Sequence, residues 1–133
     1  MKNIGVSIIT VVYNNIRGIE RTIQSVLNQS YNNIEYIIID GGSTDGTLDV
    51  IKRYENRISY WISEADEGIY NAMNKGILKA HGSFLNFMNS GDTFVTSTTI
   101  ERLIERYEKG DKIIYGNILK CYDRRKERIW KRL

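Results

Sequence analysis

The sequence predicts an α/β protein built on a mostly parallel β-sheet with helices on both faces. Its 133 residues and 15.4 kDa fit a single domain. Short, continuous apolar runs alternate with segments whose apolar residues recur at helical spacing. Strands that alternate with helices are joined by right-handed crossovers, which make neighbouring strands parallel.

The first strand and helix carry clear patterns. Val6–Val12 is a continuous run rich in β-branched residues, which is typical of a central strand covered on both faces. Within Gly18–Gln29 the apolar residues fall at i, i+4, i+7 and i+8, on one helical face, namely Ile19, Ile23, Val26 and Leu27. Glu35–Ile39 then predicts a second buried strand, which ends at Asp40.

A turn-rich stretch separates the second strand from a short helix. Residues 41–47 are mainly Gly, Ser, Thr and Asp, and the helix is indicated by Leu48, Ile51 and Tyr54. Ser43 or Asp45 is expected to cap it, because both side chains can accept a hydrogen bond from a free N–H at a helix start. Ile58–Ile62 reads as the third strand.

The remaining elements continue the alternation. Ile69–Ala80 is helical by its period, and Gly82 is placed to end that helix. Ser83–Met88 predicts a fourth strand, Ser97–Tyr107 a further helix and Lys112–Ile118 a fifth strand. Residues 1–118 would then form one domain, and residues 119–133 a hairpin turning near residues 123–126 or, alternatively, a solvated basic tail.

Composition excludes several classes of protein. Cys121 is the only cysteine, so no intrachain disulfide can form, and a reducing, cytoplasmic setting is expected. No run approaches the ~18 apolar residues of a membrane span. The net charge is +3 and the pI about 9.0, but residues 122–133 alone hold six basic and two acidic residues, a local balance of +4. Residues 1–121 then have a net charge of −1. A nucleic-acid-binding protein needs an extended basic face, which this charge does not provide.

Polar side chains follow each of the first four predicted strands. The segments are residues 13–15 (YNN), 40–43 (DGGS), 64–68 (EADEG) and 89–92 (NSGD). The carboxyl ends of parallel strands form the usual ligand-binding edge of such sheets. Carboxylates gathered there indicate a metal ion or ligand hydroxyl and amide donors, although the same residue types are also ordinary turn and capping residues.

Common nucleotide and metal motifs are missing from these positions. The first strand is followed by YNNIRG, not by the G-x-G-x-x-G of a dinucleotide-binding unit. The glycine-rich residues 41–47 lack the lysine of a P-loop. One histidine and one cysteine do not suffice for a zinc site or a Cys-His nucleophile, and His81 reads as a polar residue at a helix C-terminus. Sugar-phosphate nucleotidyltransferases carry a proline-containing glycine-rich signature, and this chain has no proline.

Several ordered segments resemble the nucleotide-binding half of the family-two inverting glycosyltransferases. They are residues 7–14 (SIITVVYN), 25–31 (SVLNQSY), 35–47 (EYIIIDGGSTDGT), 61–76 (WISEADEGIYNAMNKG) and 85–92 (LNFMNSGD). Within the family, the chain is most similar to bacterial enzymes that build cell-surface polysaccharides. The resemblance spans residues 5 to 118 and implies the glycosyltransferase-A fold, in a chain expected to be truncated.

The resemblance also implies a donor site for a nucleoside diphosphate sugar, with a UDP-sugar favoured. Tyr13, with Asn14 beside it, would stack near the base, Asp40 would accept a hydrogen bond from the base, and Asp66 would lie near base or ribose. Gly41 and Gly68 would allow the ligand to approach the backbone closely. On this hypothesis one pocket should join the carboxylates, which are Asp40, Asp66 and Asp92.

Asn89–Asp92 stands where the family has its D-x-D metal motif. Only Asp92 matches an acid there, and Asn89 could supply an amide oxygen to Mg²⁺ or Mn²⁺. The family's catalytic base lies C-terminal to this motif and no residue here matches it, so the base is left unassigned and a fragment of a longer enzyme is expected. The implied acceptor is a glycan or a lipid-linked molecule, and the implied location the cytoplasm, at the inner face of the membrane.

Two alternatives remain open. The missing base motif is also consistent with a non-catalytic module that binds sugar nucleotides. The basic residues near Ile129 and Trp130 are consistent with an interaction protein for anionic lipid, attached peripherally to a membrane, or for nucleic acid.

Overall fold

The structure is a computed structural model that describes residues 3–112 and the backbone of residues 118–121 and 127–130. Its centre is a four-stranded, fully parallel sheet in the order β3-β2-β1-β4. The strands are β1 (Val6–Val12), β2 (Ile34–Asp40), β3 (Tyr60–Ser63) and β4 (Phe84–Phe87). All seven residues of β1 are buried, as predicted for a central strand.

Helices cover both faces of this sheet, which confirms the predicted layer arrangement. They are α1 (Ile16–Leu27), α2 (Thr47–Arg53), α3 (Ile69–Lys79) and α4 (Thr99–Glu105), with a 3-10 turn at Glu55–Arg57. On one face, Ile8, Tyr36 and Ile38 share a core with buried residues of α1, α2 and α4. On the other, the core comprises Ile9, Val11, Ile37, Ile39 and Ala72, the last from α3. The alternation of side chains along each strand divides the two cores.

The starts of α1 and α2 are tied together by one carboxylate. Asp45 Oδ2 accepts the Ile16 N–H at 3.0 Å, and its Oδ1 accepts the Thr47 N–H at 3.0 Å. Asp45 therefore supplies the predicted capping bond, but from one position before the N-cap, which is Gly46 in a left-handed conformation with φ +98°. Ser43, the other predicted cap, is hydrogen-bonded to Asp40 instead.

The helix predicted over Ile69–Ala80 ends one residue earlier, and Gly82 is not what ends it. α3 stops at Lys79, because Ala80 already has an extended backbone. Gly82 instead allows the chain to pass close to β1: a Cβ there would lie 2.6 Å from the Ser7 nitrogen. The glycine is explained by close packing and not by helix termination.

A second sheet has two strands, in which β5 (Ile118–Cys121) pairs antiparallel with β6 (Glu127–Trp130). The predicted hairpin requires this pairing, and the turn predicted near residues 123–126 lies outside the described residues. The predicted fifth strand falls on residues 112–118, of which 113–117 lie outside the described residues. Among the helices in the described part of the chain, none is long and apolar enough to cross a membrane.

Candidate functional site

The loops that follow β1, β2, β3 and β4 meet at the carboxyl edge of the sheet. The register places Val12 beside Asp40 and Asp40 beside Ser63, so the first three strands end level with one another. The Gly41 N–H donates to the Val12 carbonyl at 2.9 Å, which extends the pairing one residue beyond β2. The polar segments predicted at the strand ends are thereby brought to one edge.

Asp40 lies beneath this edge and has no exposed surface. Its Oδ2 accepts hydrogen bonds from the Gly42 N–H at 3.0 Å, the Ser43 N–H at 2.9 Å and the Ser63 hydroxyl at 2.7 Å. Its Oδ1 accepts from the Ser43 hydroxyl. Four donors compensate the buried charge, and they bind the loop after β2 to the end of β3.

Asn14 links the loops that follow β1 and β2. Its backbone has φ +45°, in the left-handed region that asparagine tolerates better than most residues. Its N–H donates to the Ser43 hydroxyl at 2.8 Å, and its side-chain oxygen accepts the Thr44 N–H at 2.8 Å. Asn14 thus fixes the conformation of the chain next to Tyr13.

A cleft of about 260 Å³ opens between the end of β1 and the start of α3. Its lining consists of Val11, Val12, Tyr13, Asp66, Gly68, Ile69 and Ala72. Tyr13 is 65% exposed although it follows a fully buried strand, so its ring is free to contact a ligand. The cleft therefore combines apolar walls, one aromatic ring and one carboxylate, which is the usual make-up of a small-molecule site.

The carboxylate of this cleft is held close to the backbone of the neighbouring loop. Asp66 Oδ1 accepts the Gly68 N–H at 3.0 Å. A Cβ on Gly41 would lie 2.8 Å from Asp66 Oδ2, so a side chain at position 41 would require the carboxylate to shift. Gly41 leaves room for the Asp66 carboxylate in its present position.

Two residues of α3 that sequence reasoning missed hold the loop carrying Asp66. The Lys75 ammonium lies 3.1 Å from Glu64 Oε1 and 3.4 Å from the Ala65 carbonyl oxygen. The Asn71 side-chain oxygen accepts the Glu67 N–H at 3.1 Å. The signal in the sequence is the spacing of four between Asn71 and Lys75, which places both on one helical face beside an acidic loop.

The loop after β4 carries the predicted metal ligands. Asp92 is exposed, and its N–H donates to the Asn89 carbonyl at 3.0 Å. Asn89 Oδ1 is buried without a hydrogen-bond donor among the described residues. Within those residues, no three His, Cys, Asp or Glu side chains gather as a metal cluster. In their chemical type, a carboxylate and an unpaired amide oxygen are ligands that Mg²⁺ or Mn²⁺ takes, together with phosphate oxygens and water.

The single pocket expected to join three carboxylates is not what the structure has. Asp66 lines the cleft, whereas Asp40 is buried behind it and Asp92 stands on the loop after β4. Of the predicted donor-site residues, Tyr13, Asp66 and Gly68 line the cleft; Gly41, Asn14 and Asp40 shape the loops around it. The sequence does not separate these roles, because they depend on which hydrogen-bond donors surround each carboxylate.

Comparison with known proteins identifies the family. The sequence matches the family described as "Glycosyl transferase family 2" over residues 7–133. The chain belongs to glycosyl transferase family 2.

Relatives in this family are longer than the chain. An uncharacterized glycosyltransferase of Mycobacterium tuberculosis is 42% identical over 101 residues, which cover 75% of this chain and 38% of the relative. A Bacillus subtilis protein, TuaG, whose name assigns it provisionally to teichuronic acid biosynthesis, is 42% identical over 90 residues, covering 65% of this chain and 36% of its own. The chain thus spans less than half the length of either relative.

Solved structures place the fold in the glycosyltransferase-A class predicted for it. A mannosyltransferase from Pyrobaculum calidifontis, in complex with GDP-Man and Mn²⁺, superposes with a TM-score of 0.72 at 21% identity, over 78% of this chain and 32% of its own. TarS of Staphylococcus aureus in complex with UDP-GlcNAc superposes with a TM-score of 0.68 at 24% identity, over 76% of this chain and 30% of its own. At these identities the likeness establishes the fold.

Proposed function

We propose that the chain is the donor-binding domain of a glycosyltransferase that takes a nucleoside diphosphate sugar, preferably a UDP-sugar. The observation that carries this proposal is the cleft between β1 and α3, with Tyr13 on one side and Asp66 on the other. The complexes of the structural neighbours with UDP-GlcNAc and GDP-Man support the same ligand class.

The chemistry of the cleft suits a nucleoside. The exposed Tyr13 ring offers a stacking surface for a base, while Val11, Ile69 and Ala72 provide apolar contact. Asp66 Oδ1 is occupied by the Gly68 N–H, and no hydrogen bond to Oδ2 occurs within the described residues. Oδ2 is therefore the acceptor that we assign to a base N–H or a ribose hydroxyl.

We assign Asp40 a supporting role in place of the base contact implied by the resemblance. Its carboxylate already accepts four hydrogen bonds and has no exposed surface. A base could reach it only after the loop at residues 41–43 opened. Asp40 instead fixes the loop that places Gly41 against Asp66.

We propose Asp92, together with Asn89, as the residues that hold a divalent cation. The unpaired Asn89 oxygen and the exposed Asp92 carboxylate support this assignment, as does the Mn²⁺ in the structure of the mannosyltransferase. When bound, the cation would neutralise the charge that develops on the leaving diphosphate. Residues of this chain would orient the donor; no residue is assigned as the base.

We further propose that the whole protein performs inverting transfer to a glycan or lipid-linked acceptor in cell-surface polysaccharide synthesis, at the cytoplasmic face of the membrane. The resemblance to bacterial polysaccharide enzymes and the name of the Bacillus subtilis relative support this choice. Radiolabelled transfer from UDP-sugars to membrane lipid extracts, measured with the full-length protein, tests it. Retention of the anomeric configuration in the product would contradict the inverting mechanism.

The donor assignment is tested by isothermal titration calorimetry of the chain with UDP and GDP, with and without Mn²⁺. We expect Tyr13→Ala to weaken nucleotide binding about tenfold, because stacking on an aromatic ring contributes about 1 to 3 kcal/mol per base. Tyr70→Ala is the matched control, since Tyr70 is 79% exposed and does not line the cleft.

Three outcomes separate the hypotheses. Binding that Tyr13→Ala weakens and Tyr70→Ala leaves unchanged supports the donor site. Absence of binding to both nucleotides would overturn it. Sugar transfer by the 133-residue chain alone would exclude the alternative of a non-catalytic module.

A further inference from the structure

Helix α1 presents a polar stripe to the segment that follows β4. The stripe consists of Asn15 at the N-cap, Thr22 and Ser25 within the helix, and Gln29 just after the C-cap residue. It runs alongside residues 90–100, which include the exposed Asp92. The apolar period of α1 predicts its buried face but does not indicate this stripe.

Thr22 makes the central contacts of this stripe. It is fully buried, its hydroxyl donates to the Asp92 carbonyl at 2.7 Å, and the same oxygen accepts the Gly91 N–H at 2.9 Å. One hydroxyl thus binds the backbone immediately before and immediately after the Gly91–Asp92 peptide. Gly91 has φ +99°, a left-handed conformation that gives the loop its turn.

The neighbouring residues of the stripe extend the same contact in both directions. The Asn15 side-chain nitrogen donates to the Ser90 hydroxyl at 3.0 Å. Farther along, the Ser25 hydroxyl accepts the Phe94 N–H at 3.3 Å. Gln29 donates to the Thr96 carbonyl at 2.7 Å and accepts the Ile100 N–H at 3.1 Å.

Close packing at the start of α1 reinforces this alignment. A Cβ on Gly18 would lie 3.0 Å from the Gly91 Cα, so the helix and the loop meet backbone to backbone. The Asp92 carboxylate itself forms no hydrogen bond or ion pair within the described residues. Its position is therefore set by its backbone, and Thr22 is the buried side chain that holds that backbone.

We propose that Thr22 is a positioning residue for the Asp92 carboxylate, and that it determines how strongly the site takes a divalent cation together with a nucleoside diphosphate. The inference rests on the proposed cation site at Asp92. Loss of a group that orients a metal ligand commonly lowers the affinity for the metal by about 10- to 100-fold.

Two measurements test this role. The first is amide hydrogen exchange at Gly91, measured by NMR without metal or nucleotide. The second is the factor by which Mn²⁺ strengthens UDP binding, measured by calorimetry. The variants are Thr22→Val, which keeps the shape and removes the hydroxyl, and Thr22→Ser, which keeps the hydroxyl. Thr47→Val is the matched control, because Thr47 is also fully buried but bonds to Asp45.

We expect Thr22→Val to accelerate Gly91 exchange and to lower the Mn²⁺ enhancement of UDP affinity about tenfold, with UDP affinity in the absence of Mn²⁺ unchanged. Thr22→Ser should keep the Gly91 exchange rate and the Mn²⁺ enhancement near their wild-type values. Thr47→Val should lower only the melting temperature. Unchanged Gly91 exchange in Thr22→Val would overturn the inference. So would faster exchange with an unchanged Mn²⁺ enhancement, because Thr22 would then stabilise the loop alone.

A failure of the proposed cation site gives a different result. The wild-type chain would then bind UDP equally well with and without Mn²⁺, whatever happens at Gly91. That result would overturn the cation site and this inference with it, while leaving the cleft between β1 and α3 as the nucleotide site.

Discussion

The position of Asp40 could be predicted from the sequence, but its burial could not. Its place at the end of β2 was predicted from the apolar run before it. Its burial under Gly42, Ser43 and Ser63 was not, because the donors come from a tight loop and from β3, 23 residues away along the chain. The sequence therefore predicts an acid at the end of β2, but it does not predict the hydrogen-bond donors that decide the role of Asp40.

Replacing Asp40 tests whether it supports the loop or contacts the nucleotide. We expect Asp40→Ala to lower the free energy of unfolding by about 3 kcal/mol, because several buried donors lose their acceptor. Asp40→Asn should cost less, since an amide oxygen can still accept the bonds that Oδ2 accepts. Urea denaturation measures both, with the exposed Asp49→Ala as control. Wild-type stability in Asp40→Ala with lost UDP affinity would instead favour direct contact with the base.

Glu35 shows a second role that sequence reasoning did not find. The sequence predicts His81 as a polar residue at a helix end. In the structure its ring atom Nδ1 lies 2.7 Å from Glu35 Oε2, and its backbone N–H donates to Glu35 Oε1 at 2.7 Å. The Ser7 hydroxyl also donates to Oε1, at 2.8 Å. Partial burial raises the pKa of Glu35, but the hydrogen bonds from His81 and Ser7 outweigh it and hold the pKa below its usual value.

A pH series checks this assignment. Because the folded state lowers the pKa of Glu35, the ionised carboxylate stabilises the fold above its unfolded pKa, and this contribution is lost as the pH falls through the folded value. The loss in stability caused by Glu35→Gln should therefore be largest near neutral pH and should shrink below about pH 4. Glu55→Gln, at an exposed position, should show no such trend. A difference independent of pH would contradict the assignment.

Among the elements, α3 is positioned by one close approach to the sheet. A Cβ on Gly76 would lie 2.5 Å from Ile9 Cγ2, and Ile9 is fully buried in β1. The period of apolar residues predicted α3 within one residue of its observed end. It did not predict how closely the helix lies on β1, because periodicity gives the buried face but not the distance between elements. This distance matters because Ala72 of α3 lines the cleft.

The close approach predicts the effect of enlarging Gly76. Gly76→Ala should lower the free energy of unfolding, because overpacking costs about 1 to 3 kcal/mol, more than the roughly 1 kcal/mol that alanine gains within a helix. Gly5→Ala is the control, since its nearest contact would be an ordinary 3.4 Å. Combining Gly76→Ala with Ile9→Ala should give less than the sum of the two losses. Strict additivity would contradict the contact.

For the whole molecule, the sequence was sufficient for the succession of strands and helices along the described part of the chain, for the parallel direction of the first four strands and for the layers of helices. Those features follow from local periodicity and from the rule that crossovers are right-handed. The different roles of the three acids at the strand ends could not be predicted. Asp66 lines the cleft, Asp40 supports a loop, and Asp92 lies on the loop whose backbone Thr22 binds. It depends on hydrogen bonds between loops that are distant in sequence.

We expect the nucleotide to bind in the cleft between β1 and α3. The most direct test is a titration of the ¹⁵N-labelled chain with UDP, followed by amide chemical shifts. We predict the largest shifts at Tyr13, Asp66, Gly68 and Ala72, with small shifts at Glu35 and His81 at the opposite end of the sheet. Saturable shifts centred elsewhere, with the amides of the cleft unchanged, would contradict the account.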